Sequence, residues 1–194
     1  TYQDKQFAEE RYCFTEPAFF ELFNFPIKRG EKTGQLVRPN TVVLTESAAH
    51  RYFGEAEPLG KILTFRTATA EQHFEVTGII DRMPANSHLQ YDFLLSYSTI
   101  PKERQDIWYV HGVYTYVRLE PGKNPQEIAD AFAAISDKYK TAALKHKDWR
   151  VELIPLREIH LTPQKSYEKE TKGSRTAVYI LSVMAVALLL IGWV

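Results

Sequence analysis

The sequence predicts an α+β fold of two lobes, a ferredoxin-like α/β lobe carrying an inserted β-rich lobe, followed by the start of a transmembrane helix. Three observations carry this. The elements run β-α-β, then a mostly-β block, then β-α-β, and two β-α-β halves can close into a ferredoxin-like sandwich. The middle block, residues 46–110, then sits between the halves formed by residues 1–45 and 111–160. The last 18 residues, Ala177 to Val194, carry no charge, with residues 161–176 as a polar juxtamembrane connection.

Taken in order, Glu10 to Phe14 reads as a short strand. Thr15-Glu16-Pro17 is a helix start: Thr15 can cap, Glu16 suits the positive end of the dipole, and Pro17 fits the first turn. Phe19, Leu22 and Phe23 fall at i, i+3 and i+4 on that helix. Asn24 to Gly34 reads as a connection and Thr41 to Leu44 as a strand. Thr45 or Ser47 caps a short helix through Ala48, Ala49, Tyr52 and Phe53, which Gly54 ends. Strands are expected over Lys61 to Arg66, Phe74 to Asp81 and Leu89 to Tyr97. The last would put Tyr91, Phe93, Leu95 and Tyr97 on one face. Another strand is expected over Gly112 to Glu120. The best-marked helix follows Gly122, with Asn124 as cap, Pro125 first and Glu127 third. Ile128, Phe132, Ile135 and Tyr139 share one of its faces, which predicts that this face is buried. Arg150 to Leu156 reads as a final strand. There is no internal repeat.

Composition fits a globular chain, with 44% hydrophobic and 25% charged residues. Lys+Arg and Asp+Glu balance at 24 each, so there is no electrostatic case for nucleic acid, which needs a basic face. Cys13 is the one cysteine. That rules out an internal disulfide and a cysteine zinc site but does not decide the compartment, because a chain of this length can build a core without disulfides. The chain opens at Thr1 without an initiator Met and stops inside the apolar run. It is therefore expected to be a piece of a longer protein.

The run AVYILSVMAVALLLIGWV would span roughly 27 Å as a helix, close to a bilayer core of ~30 Å. Leu188, Leu189, Leu190 and Ile191 are consecutive, so the segment is apolar on every face. A buried core helix is the alternative. Lys165, Lys169, Lys172 and Arg175 precede the run, which by the positive-inside tendency would face the cytoplasm, but large domains translocate largely regardless of charge.

Candidate chemistry is sparse. Gly54 to Lys61 superficially looks like a phosphate loop, but five residues separate the glycines where four are needed, and Ile62 replaces the Mg²⁺-binding hydroxyl. A helix C-cap followed by a proline turn explains it. The six histidines show no ligand spacing, and His88 near Asp81 and Asp92 is the most suggestive group. There is no G-x-S-x-G elbow. No catalytic residue, metal ligand or cofactor is expected. Trp108, Tyr109, Tyr114 and Tyr116 form an aromatic cluster, read as core packing or a lobe interface, or else as a surface that binds a partner or ligand.

Four strings resemble the MacB-type periplasmic core domain of ABC permeases with FtsX-like membrane segments. They are PAFFELFNFPIKRGE (Pro17 to Glu31), VVLTESAAHRYFGEAEPLGKIL (Val42 to Leu63), FEVTGIIDRMPANSHLQYDFLLS (Phe74 to Ser96) and VYTYVRLEPG (Val113 to Gly122). LREIHLTP (Leu156 to Pro163), with the apolar run after it, resembles the family's return to the membrane. The set is in order and covers nearly the whole chain.

The resemblance implies a porter-like α/β lobe with an inserted β-rich lobe, held on the extracytoplasmic (periplasmic) side of the inner membrane. It implies ATP hydrolysis on a separate cytoplasmic ATP-binding subunit or domain, reached through membrane helices absent from this sequence. It further implies a permease homodimer or heterodimer, with a periplasmic adaptor or lipoprotein as a further partner, serving export or release of a substrate. Two rivals are a membrane-anchored ligand-binding or sensor domain, with one or two spans where a permease has at least four, and a membrane-tethered hydrolase, which needs a convergent polar site.

Overall fold

The computed structural model describes residues 1–67, 70–105, 113–139, 152–161 and 175–192. They fall into two units, Thr1–Asp106 and Ile107–Val194.

The first unit is built on a six-stranded sheet ordered β1-β6-β3-β5-β2, with β4 also on β5. The strands are β1 Tyr12–Thr15, β2 Ile27–Gly30, β3 Thr41–Thr45, β4 Ile62–Arg66, β5 Glu71–Ile80 and β6 Phe93–Ser96. Every residue of β3 and β6 is buried. Such unbroken burial is what a central strand covered on both faces requires, and TVVLT and FLLS supply it. β1 runs parallel to β6, from Tyr12 opposite Phe93 to Thr15 opposite Ser96. β3 is parallel to β5 and antiparallel to β6. β5 is the long strand: β4 pairs antiparallel with Glu71 to Glu75, and β2 with Gly78 to Ile80. The register against β3 shifts between Val42 and Val43, which leaves Thr77 as an extra residue on β5.

One face of the sheet packs on helix α2, Glu46–Phe53. Thr45 starts it, its Oγ1 accepting from the Ala48 N–H at 3.3 Å. Gly54 ends it at φ +62°, donating its N–H to the His50 carbonyl at 2.8 Å. Ala48, Ala49, Tyr52 and Phe53 join Val42, Leu44, Leu63, Phe74, Val76, Ile79, Phe93 and Leu95 in one core. Burying each large side chain stabilises the fold by roughly 1.5–3 kcal/mol. The intervening Val43, Ile80 and Leu94 are also buried, so by strand alternation the second face is covered too. Phe19 of helix α1 (Ala18–Phe23), Leu36, Met83 and Leu89 are buried as well.

Several expectations need correction. Residues 46–110 are not a separate inserted lobe. β4, β5 and β6 share one sheet with β1, β2 and β3, and β3 has both edges filled by β5 and β6. The strand expected over Gly112 to Glu120 is irregular over residues 113–120, as is residues 152–155 of the expected Arg150 to Leu156 strand. Alternating apolar and polar residues allow a strand but supply no partner for its backbone. β2 lies inside the segment read as a connection; its pairing with β5 carries a bulge between Ile27 and Arg29, and its Lys-Arg-Gly content conceals it. Pro17 itself, not Thr15, stands at the α1 N-cap position.

Gly30 has a positional role. It sits at φ +99°, and a methyl group there would lie 2.3 Å from the Thr77 carbonyl oxygen. Gly34, at φ +77°, has open space around it. Gly30→Ala is expected to cost about 2 kcal/mol or more, adding a clash to left-handed strain, and Gly34→Ala about 1 kcal/mol. Urea unfolding of the pair checks this; equal midpoints would show that the close approach of β2 to Thr77 does not matter.

In the second unit, helix α4 spans Pro125–Tyr139, and Asn124 Oδ1 accepts from the Gln126 N–H at 3.0 Å, as the sequence indicated. The buried face does not appear as expected: Ile128 and Ile135 are exposed and Phe132 is half-buried, while the Tyr139 side chain lies outside what is described. A short 3-10 stretch covers Leu156–Leu161. Helix α5, Arg175–Ile191, has 17 residues. Every described residue from Ala177 to Gly192 is exposed. No helix among the described residues is long and apolar enough to cross a membrane. The first unit also holds a short helix α3, Lys102–Gln105.

Candidate functional site

Among the described residues, a constellation of polar groups joins the N-terminal segment, residues 1–11, to α2 and the start of β6. Glu9 faces Arg51 Nη2 with both oxygens, at 3.0 and 3.2 Å, and accepts from the Tyr52 hydroxyl at 3.1 Å. Asp92, almost fully buried, accepts from Thr45 Oγ1 at 3.2 Å. Arg11 Nη2 and Arg51 Nη2 each lie 3.6 Å from its carboxylate, close enough for charge attraction but too far for good hydrogen bonds. Arg11 Nε donates to the Gln90 carbonyl at 2.9 Å. Arg11 Nη2 and Arg51 Nε are buried without a hydrogen-bond partner. Aromatic contacts continue the seam: Tyr2 on Phe53 at 4.4 Å, Phe7 edge-on to Tyr52 at 5.1 Å, and the Arg51 guanidinium 5.9 Å from the Phe7 ring. Two carboxylates and two guanidiniums thus neutralise each other while pinning the N-terminal segment to α2 and the start of β6.

The chemistry of this seam is that of a clamp. Burial, then the Glu9 carboxylate beside it, hold the Tyr52 hydroxyl well above the usual phenol range, so it stays a hydrogen-bond donor. Burial pushes the Cys13 thiol up to about 12, which suppresses the reactive thiolate at neutral pH. Among the described residues no group of three His, Cys, Asp or Glu side chains is placed to hold a metal ion.

A second feature is a cleft of about 410 Å³ where β4 ends and β2 begins along β5. Gln35 closes one wall. Its Nε2 donates to the carbonyls of Glu31 (2.6 Å) and Thr77 (3.1 Å), and its Oε1 accepts from the Thr77 hydroxyl at 2.6 Å. The side-chain amide thus stands in for a strand neighbour at the bulged Thr77. Arg38, on the rim, pairs with Glu75 at 3.3 Å.

Of the aromatic cluster singled out from sequence, Trp108 and Tyr109 lie outside the described residues. Tyr114 is exposed and Tyr116 half-buried on the irregular stretch. The His88 group does not converge: His88 packs edge-on to Phe23 at 6.2 Å, Asp81 pairs with Lys28 at 2.6 Å, and Asp92 belongs to the arginine clamp. Gly54 to Lys61 is the C-cap and turn expected; the Gly60 N–H donates to the Val76 carbonyl at 2.8 Å and the Lys61 N–H to the Pro58 carbonyl at 3.1 Å.

Residues 1–135 match the model of the MacB-like periplasmic core domain, and the chain belongs to that family. A crystallised domain of a protein from Porphyromonas gingivalis, described as a permease, is similar at 27% identity with a TM-score of 0.61. That match covers 72% of this chain and 58% of that one. The periplasmic region of MacB from Actinobacillus actinomycetemcomitans matches at 18% identity and a TM-score of 0.45, over 66% of this chain and 55% of that one. The chain thus spans less than two thirds of the length of either. No curated protein matches.

Proposed function

We propose that this chain is the extracytoplasmic domain of an ABC-transporter permease, coupling cytoplasmic ATP hydrolysis to export or release of a substrate outside the inner membrane. The observation that carries the reading is the family match over residues 1–135. The partners are a cytoplasmic ATP-binding subunit or domain, a second permease copy or a related permease, and a periplasmic adaptor or lipoprotein. The domain is non-catalytic, and its surfaces transmit motion. Tyr114 and Tyr116, with Trp108 and Tyr109, are proposed as a partner-contact region.

Helix α5 is proposed as the start of a membrane helix. Ala177 to Gly192 contains no charge and is exposed throughout, which in water leaves apolar surface uncovered on every side. Bilayer hydrocarbon removes that cost. Residues 161–176 then form the connection at the membrane surface. The full-length protein is expected to stay in the membrane pellet through alkaline carbonate and high-salt washes. Its release into the supernatant would exclude an integral membrane protein.

A further inference from the structure

Arg51 is shared between two carboxylates that come from different segments. Its Nη2 lies 3.0 and 3.2 Å from the two oxygens of Glu9, and 3.6 Å from Oδ2 of Asp92. The guanidinium is thus hydrogen-bonded to Glu9 and only attracted to Asp92. Yet Asp92 is the more buried carboxylate, its side chain 8% exposed against 15% for Glu9. Arg51 Nε is buried without a hydrogen-bond partner, a cost that a fully seated guanidinium does not carry.

Residues 5–10 are held through Arg51 and its neighbour Tyr52. Lys5 Nζ donates to the Arg51 carbonyl at 3.4 Å. The Phe7 ring lies 5.9 Å from the Arg51 guanidinium and 5.1 Å from the Tyr52 ring. Glu9 takes the guanidinium and the Tyr52 hydroxyl. Gln6, Ala8 and Glu10, between and beyond these contacts, are exposed. Among the described residues no backbone hydrogen bond ties residues 6–10 to the sheet. Backbone anchorage begins at Arg11, whose carbonyl accepts from the Asp92 and Phe93 N–H groups at 2.7 and 3.2 Å.

We propose that Arg51 is a two-position latch: bonded to Glu9 it holds residues 5–10 on α2, and bonded to Asp92 it releases them while the sheet stays folded. A shift of roughly 0.7 Å brings Nη2 within hydrogen-bond range of Asp92 Oδ2. There Arg51 joins Arg11 in compensating the buried charge, so release leaves no carboxylate stranded inside the protein; Glu9 leaves with its segment and is solvated. The two states exchange one charge-assisted pair for another, which keeps them close in free energy. The hinge is Glu10, next to the anchored Arg11. Release uncovers Tyr52, which is 3% exposed while the segment is docked.

Distances between spin labels at Ala8→Cys and Glu55→Cys, in a Cys13→Ala background of the full-length protein, report docked and released populations. Glu9→Gln is expected to lower the docked-to-released ratio at least about tenfold, the scale of a lost charge-assisted hydrogen bond. Adding Asp92→Asn to Glu9→Gln removes the competing charge but keeps an acceptor for Thr45. It should raise the ratio again by about threefold or more. A double variant as released as Glu9→Gln alone, or more so, would overturn the latch, because a fixed network only loosens as charges are removed. Thermal melts decide the matter if the Asn variant does not fold. Glu9→Gln should melt within about 2 °C of the wild type, since Arg51 moves to Asp92, and Arg51→Gln about 5 °C or more lower, since Asp92 loses that partner. Equal losses in the two would also overturn the proposal. These readouts need neither ATP nor substrate, so this inference can fail while the permease reading stands.

Discussion

Phe93→Ala is expected to destabilise the first unit by about 3–5 kcal/mol, the range for truncating a packed core phenylalanine. Phe93 is 1% exposed and sits edge-on to both Tyr52 (5.8 Å) and Phe65 (5.4 Å). It pairs with Leu44 on one side and Tyr12 on the other, so its ring lies where β1, β3, β4 and α2 meet. No neighbouring element can collapse into the space without moving the others. At about 4–8 °C per kcal/mol the melting temperature falls by roughly 12 °C or more. Val37→Ala, at a 57% exposed position, should stay within about 0.5 kcal/mol. Thermal melts of both variants check this; a Phe93→Ala protein melting with the wild type would show that the sheet is not the core.

The second large effect is functional. Inserting two glycines after Gly173 should leave the sheet of the first unit folded but loosen the proposed mechanical link into α5, since glycine adds backbone freedom. With spin labels at residue 37 of two permease copies, ATP binding is expected to change the distance between them in the wild type. The insertion should reduce that change to a small fraction while ATP hydrolysis continues, a loss on the scale of a 1–3 kcal/mol coupling energy. An undiminished change would mean that motion does not pass through this connection.

What sequence could reveal divides along physical lines. β3, α2, β4 and α4 were legible because each announces itself locally: a β-rich run, a cap at Thr45 or Asn124, a stop at Gly54. The inserted lobe was misread because pairing is not local. β1 and β6 are adjacent in the sheet but separated by most of the first unit, and nothing in YCFT names FLLS as its partner. β6 also looked longer than it is, because Tyr91 continues the alternation although pairing starts at Phe93. Alternation likewise suggested a strand at residues 113–120, where the structure shows none.

The clamp was missed for the same reason, since Glu9, Arg51 and Asp92 lie in three distant segments. One signal was available: Asp92 falls inside the apolar strand expected over Leu89 to Tyr97, and a carboxylate in that position needs cationic partners. Arg51, among the buried side chains of α2, is the counterpart. Removing one partner of such a set leaves a buried charge uncompensated, which costs more than the pair contributes.

The central claim, that this is the extracytoplasmic domain of an ABC permease, is tested most directly by purifying the full-length protein from membranes through a tag and measuring ATP hydrolysis. The account predicts an ATP-binding subunit or domain present in stoichiometric amount, with hydrolysis lost when its nucleotide site is inactivated. A membrane protein of one or two spans that purifies alone and hydrolyses no ATP would contradict it and favour a membrane-anchored sensor.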